Sequence, residues 1–340
     1  MAVIHQTDVV VIGTGPVGLF AIFQCGMLRL KCHAFDTLEQ VGGQCAALYP
    51  EKPIYDIPAH PTILGGELAA NLARQAAPFH PNYHLKEQVK NVEALDDQGK
   101  SWRLTGNQGT VVETKVIIIA AGVGAFGPNR PPLDGIEAFE QASIHYFVRM
   151  RETYRDKHIV IAGGGDSAVD WALSLSEIAA KVSVVHRRDK FRAAPESERQ
   201  LKQLASEGKI DLVVPYQLAG LTGKDGQLTA VEVESLEGNK KSLRADYLLP
   251  FFGLSMNLGP IADWGLGLTH NNITIDPTTA ATNRPGIYAI GDIATYPNKL
   301  KLILTGFAEA AQAAHAIRHF LHPDEVIHFE YSTTQGVPKA

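Results

Sequence analysis

Apolar residues in this chain gather in short runs that glycine closes. Asp8–Ile12 (DVVVI) reads as a strand and runs into Gly13, Gly15 and Gly18, spaced G-x-G-x-x-G. The pattern then predicts a helix to about Leu28, and Lys31–Phe35 (KCHAF) enters a second strand ending at Asp36. Short apolar runs bounded by turn residues fit strands buried on both faces, as in a parallel sheet. Residues 158–188 repeat the plan. His158–Ala162 (HIVIA) is the strand, Gly163-Gly164-Gly165-Asp166-Ser167-Ala168 the turn, and Lys181–Val185 (KVSVV) leads to His186, Arg187 and Arg188. Gly13 to Asp36 and Gly163 to His186 both span 23 positions. Two further runs end alike, Val116–Gly122 (VIIIAAG) and Tyr247–Gly253 (YLLPFFG), and each closes its unit.

A unit repeated in this way predicts two dinucleotide-binding halves. The first turn glycine permits the tight bend and the second lets backbone approach a pyrophosphate. The third position needs a small residue where helix meets strand, and Ala168 fills it in the second copy. The pyrophosphate then rests on free N–H groups at the helix N-terminus. The copies differ at the end of the second strand. Asp36 offers a carboxylate to a ribose diol, whereas His186, Arg187 and Arg188, with Arg192 just beyond, offer guanidinium groups that pair with a 2′-phosphate. The second site therefore reads as one for NADPH. A solvated basic turn is the plainer reading of the same residues.

Ile287–Asp292 (IYAIGD) reads as a strand ending in Gly-Asp, followed by a helix over Thr305–Leu321. This is the pattern of two-dinucleotide flavoproteins, in which such an Asp binds the ribityl chain of FAD. The helix N-terminus then faces the ring, where its partial positive charge favours the developing anion. An Asp that merely caps the helix is the alternative. The expected fold class is α/β, with two Rossmann-like dinucleotide-binding domains. The FAD-binding domain comprises residues 1–123 and 253–340, and the NADPH-binding domain, 124–252, is inserted within it.

Composition removes other classes. The 340 residues carry a net charge of −5, with no basic excess for nucleic acid or an anionic membrane. Asp8 interrupts the N-terminal apolar run, which argues against a secretory leader. No apolar stretch approaches the roughly 20 residues that span a bilayer. Three cysteines, Cys25, Cys32 and Cys45, form neither a disulfide framework nor a metal cluster and fit a reducing cytoplasm. No metal site is expected: His315 and His319 are four residues apart on the last helix but lack further ligands.

With these motifs placed, the chain resembles the two-dinucleotide reductases built like thioredoxin reductase over nearly its whole length. His186–Ala193 (HRRDKFRA) matches that family's NADPH signature. The family's Cys-x-x-Cys is missing, since residues 143–148 read SIHYFV. The paired cysteine of glutathione-reductase-like enzymes is missing too, since Gly42-Gly43-Gln44-Cys45 is followed five residues on by Pro50. Dithiol chemistry is therefore not expected. Gly42–Ile57, Ala121–Phe126 and Gly163–Ala172 look like signatures of a group that lacks the dithiol, the ferredoxin–NADP⁺ reductases of the thioredoxin-reductase-like type. The resemblance implies a homodimer that moves electrons between NADPH and ferredoxin or flavodoxin. Its flavin would lie between the rings of Tyr49 and Tyr331, the latter on a C-terminal extension over residues 322–340 whose Pro323, Gly336 and Pro338 suit irregular structure. It also places Thr14, Asp36, Gln44, Val89, Phe126, Asp292 and Thr333 around FAD.

Three residues keep two readings. Cys45 is either a redox thiol beside the flavin or a small buried hydrophobe, and the residue type favours the second. Lys299 and Lys301 either meet an acidic electron carrier or form a solvated loop. Function retains alternatives as well: an NADPH diaphorase acting on quinones or free flavin, or a flavin- and NADPH-binding sensor with no dedicated acceptor.

Overall fold

The computed structural model describes residues 3–140, 142–325 and 336. They fall into two compact units, one made of the described residues up to 126 and from 256 onward, the other of residues 127–255.

The first unit is built on a seven-stranded sheet. β1 (Ile4–Ile12) leads through the Gly13 turn into α1 (Pro16–Met27), and β2 (Cys32–Phe35) returns parallel to β1 with Val9 opposite Cys32 and Ile12 opposite Phe35. Two helices follow, α2 (Gly43–Ala47) and α3 (Gly65–Ala76). The remaining strands of this stretch are β3 (Asn82–His84), β4 (Val89–Ala94), β5 (Trp102–Gly106) and β6 (Val111–Ile119). The sheet order is β3-β2-β1-β6-β5-β4. The last four residues of β1 are buried, as are Val116–Ile119 of β6 beside them. That is why both segments read as unbroken apolar runs.

The second unit repeats the motif. β7 (His158–Ala162), α4 (Asp166–Leu175), β8 (Lys181–Val185), α5 (Pro195–Ser206), β9 (Ile210–Val213) and β13 (Tyr247–Pro250) build a parallel sheet in the order β9-β8-β7-β13. Between β9 and β13 runs an antiparallel meander of β10 (Gln217–Lys224), β11 (Gln227–Glu234) and β12 (Lys240–Arg244). The core of this unit gathers Val160, Ala162, Val185, Val213, Val231 and Leu248.

After the return to the first unit, β14 (Ile287–Ala289) pairs parallel with Ile117–Ile119 of β6, and α6 (Ile303–Leu321) packs on α1. A Cβ on Gly306 would stand 2.4 Å from a methyl of Val17, so the bare glycine sets how closely α6 approaches α1. β14 is shorter than its apolar pattern predicts. Gly291 adopts φ +75° and turns the chain, so Asp292 sits in a 3₁₀ turn over Gly291–Ile293 rather than at a strand end. The helix begins two residues earlier than expected.

Candidate functional site

The glycine turn of the first unit is as tight as its spacing implies. Gly13 stands at φ +101°, and a Cβ there would lie 2.3 Å from the Ala120 carbonyl oxygen. On Gly18 it would lie 2.0 Å from the Gly13 carbonyl oxygen, the close helix–strand approach that requires the third glycine. Gly15 is different. Its nearest neighbour would be the Gly43 Cα at 3.9 Å, so the space in front of it is open. Gly15 also precedes α1 with no side chain capping the helix, whose first N–H groups remain available to an anion.

A cavity of about 320 Å³ opens from this turn, within the range of small-molecule clefts. Gly13, Gly15, Asp36, Gln44, Tyr49, Val89 and Asp292 all lie on its wall. Thr14 and Gly18 do not. Thr14 is fully buried and works behind Asp36: its N–H and its hydroxyl donate to Asp36 Oδ2 at 2.7 and 2.6 Å, and the Leu38 N–H donates to Oδ1 at 2.9 Å. A carboxylate has roughly four acceptor positions. Three are filled by donors that fix its orientation, which leaves Oδ1 room for a hydroxyl from the cavity. Phe126 lies on the strand Ala125–Pro128, and Tyr331 and Thr333 lie outside the described residues.

At the other end of the cavity stand Cys45, Tyr49 and Asp292. Cys45 is buried, and its thiol is pushed up to about 11 by that burial, against a smaller opposing effect of the Tyr49 hydroxyl and Lys52. Such a thiol is protonated and unreactive at neutral pH, which fits the small-hydrophobe reading. Burial likewise raises the Asp292 carboxyl, while Lys301 and Lys299 pull it back. Lys301, Leu302 and Ile303 bring the uncapped N-terminus of α6 onto the same wall. Lys299 is not the solvated loop lysine that its sequence suggests, because its ammonium is enclosed and paired with Glu309. Cys25 and Cys32 meet in the core, where the Cys32 thiol is raised well above its ordinary range by its hydrogen bond with Cys25 and by burial. Neither sulfur lines the cavity.

The sequence pattern gave no sign of Trp264. Trp264 lies on the cavity wall, and its buried indole N–H has no acceptor among the described residues. An orphan buried donor of this kind carries an uncompensated desolvation cost. The open space before Gly15 and the oriented Asp36 fit a bound dinucleotide. Trp264 lies between motifs, in an irregular stretch with no periodicity to mark it.

The turn of the second unit shares the plan but not the surroundings. Gly163 stands at φ +151°, and a Cβ there would be 2.7 Å from the Phe251 carbonyl oxygen. Gly165, before α4, has nothing within 4 Å of its Cβ position and no side-chain cap. Ala168 is fully buried at the third position. The His186 ring lies over Gly164, where a Cβ would be 2.3 Å from Nε2. The Arg192 N–H donates to the Gly164 carbonyl at 2.6 Å, and the Ala194 N–H donates to Asp166 Oδ1 at 2.9 Å. The Asp166 carboxylate is thus used to pin this loop to the turn, while Ser167 is exposed. His186, Arg187, Arg188, Lys190 and Arg192 ring a cavity of about 220 Å³. Partial burial and then the charges of Arg187 and Arg192 hold the His186 imidazole below its ordinary value. Among the described residues, no group of histidine, cysteine, aspartate or glutamate could hold a metal ion, and no helix is long and apolar enough to cross a membrane.

Two glycine turns of one design, one closed by a carboxylate and one by arginines, define a two-dinucleotide oxidoreductase. The chain belongs to the pyridine nucleotide-disulphide oxidoreductase family, which it matches over residues 7–317. Within that family its relatives carry a narrower name. A protein of Paramagnetospirillum magneticum named ferredoxin–NADP reductase is 63% identical over 335 residues, covering 98% of this chain and 99% of that one. Another of the same name from Rhodospirillum rubrum is 61% identical, with 98% and 97% covered. Among solved structures, thioredoxin reductase of Lactococcus lactis is 26% identical with a TM-score of 0.80, covering 93% of this chain and 99% of that one. The fold is thioredoxin-reductase-like.

Proposed function

We propose that the chain is an FAD-dependent ferredoxin–NADP⁺ reductase, a homodimer of the cytoplasm that passes electrons between NADPH and ferredoxin or flavodoxin. One observation carries the reading: two glycine turns open to a pyrophosphate end in opposite charges, Asp36 in one and Arg187, Arg188 and Arg192 in the other. The names of the relatives at 63% and 61% identity support the choice of carrier.

In the first unit the α1 N-terminus and Gly15 receive the FAD pyrophosphate, and Asp36, oriented by Thr14, accepts from the ribose. Asp292, Gln44, Tyr49 and the α6 N-terminus form the flavin end. In the second unit Gly165 and α4 receive the NADPH pyrophosphate, and the arginines take its 2′-phosphate. When bound, FAD supplies the exchange between two-electron nicotinamide chemistry and single-electron carriers. The chain's part is alignment, exclusion of water and a positive helix end at the cavity. The cysteines take none: all three are free and buried, and the Cys45 thiol is held protonated.

NADPH-driven cytochrome c reduction tests the reading. The expected result is fast turnover that depends on added ferredoxin or flavodoxin. Equal turnover without a carrier, or with quinones alone, would identify a diaphorase instead.

A further inference from the structure

Gly291, which turns the chain into Asp292, is held at both of its backbone polar groups by one buried ion pair. Its N–H donates to Glu309 Oε2 at 2.7 Å, and its carbonyl accepts from Lys299 Nζ at 2.7 Å. Lys299 and Glu309 are joined at 2.5 Å, with side chains only 4% and 3% exposed. Tyr296 completes the group: its hydroxyl donates to Glu309 Oε1 at 3.0 Å, and its ring centre lies 5.2 Å from the ammonium. Three segments meet here: the turn after β14, the loop before α6, and the buried face of α6 itself. Asn272 braces the same turn, donating to the Asp292 carbonyl at 2.7 Å.

A buried ion pair is a poor way to gain stability, since desolvation offsets most of the attraction and apolar replacements are often as stable. This pair does something apolar residues cannot. It offers one donor and one acceptor to a single buried residue, and it places two opposite charges behind the carboxylate on the cavity wall. Both bear on Asp292, whose carboxyl is raised chiefly by burial, pulled back by Lys301 and then Lys299, and raised a little further by Glu309.

We propose that Lys299 and Glu309 are positioning residues for the flavin end of the cavity, fixing Asp292 through Gly291 and balancing the charge that the flavin meets there. The proposal rests on the reading that this cavity holds FAD. Flavin reduction adds electron density, so an uncompensated cation behind Asp292 favours the reduced form and an uncompensated anion opposes it.

The test measures FAD affinity by titrating apoprotein and the midpoint potential of bound flavin by dye equilibration. Native protein comes first: if it takes up no FAD, the cofactor reading fails and this proposal is not what failed. With FAD bound, Lys299→Met should lower the midpoint potential and Glu309→Gln should raise it. Each should weaken FAD by about ten-fold or more. The double variant should return the potential close to native. Tyr296→Phe keeps both charges and should leave the potential unmoved. Lys299→Arg should keep the potential near native while weakening FAD, and it carries the test if Lys299→Met does not fold. A merely structural tie would shift both single variants in the same direction or in neither. That result, or a Lys299→Arg potential displaced from native as far as that of Glu309→Gln, overturns the proposal.

Discussion

The two glycine turns can be laid over one another residue by residue, yet they stand in different surroundings. Around the first, Asp36 is gripped by three donors, a Cβ on Gly18 would stand only 2.0 Å from the Gly13 carbonyl oxygen, and the cavity reaches on to Tyr49 and Asp292. Around the second, Ala168 is accommodated, and the cations that close the turn stand in solvent around a smaller hollow. The backbone plan fixes where a pyrophosphate sits. What encloses it decides whether the dinucleotide stays or exchanges. On this account the first site keeps FAD as a resident group, and the second admits and releases NADPH.

Four substitutions or titrations press on that contrast. The largest effect belongs to Gly13→Ala, which meets both a positive φ and the Ala120 carbonyl. It should cost about 3 kcal/mol of stability, read as a lower denaturation midpoint, and the purified protein should lack FAD. Next comes Arg187→Ala with Arg188→Ala. Charge-assisted hydrogen bonds contribute about 1.5–3 kcal/mol each, so the Michaelis constant for NADPH should rise roughly 100-fold while that for NADH barely moves. Equal effects on both would make the basic turn a solvated one. Asp36→Asn removes an acceptor from Thr14 and should weaken FAD about ten-fold without touching NADPH kinetics, as fluorescence titration would report.

The fourth is a pH effect centred on the first unit, with His186 of the second adding to it in the same direction. His33 is held down to about 4 by burial and by the charges of His84 and His5, and His84 is lowered as well. In the unfolded chain these imidazoles titrate near 6.5. As pH falls from about 6.5 toward 4, the unfolded state takes up protons that the folded one refuses, so stability drops across that window and is flat above it. Denaturant midpoints against pH should show this limb, and His33→Leu should flatten it. An unchanged acid limb in that variant would assign it to other groups.

Much of this is legible in the sequence. The β-α-β units, their glycines and the charge difference between Asp36 and the arginines announce themselves, because the motif forces small residues and buried strands into fixed spacing. Relations between distant segments were hidden. Thr14 reads as a cofactor contact yet serves Asp36 from behind. Lys299 reads as a loop lysine, because nothing local shows that Glu309 will meet it. Glu309 did leave a trace: a charged residue directly before Ala310, on the face of α6 that buries Gly306, Ala313 and Ile317. Trp264 left none, since an orphan N–H exists only once the walls of the cavity are assembled.

In the proposed function one turn is used twice, for two different dinucleotides. Gly15→Ala and Gly165→Ala test it most directly. Neither site places an atom closer than 3.9 Å to the new methyl, and neither glycine has a positive φ. Both variants should therefore keep their stability within about 0.5 kcal/mol, while the methyl intrudes where the pyrophosphate must rest. Binding titrations of FAD to the apoprotein and of NADP⁺ to the flavin-loaded protein should show Gly15→Ala weakening FAD alone and Gly165→Ala weakening NADP⁺ alone. If either variant weakens both dinucleotides equally, or neither, the two turns are not the separate cradles described here.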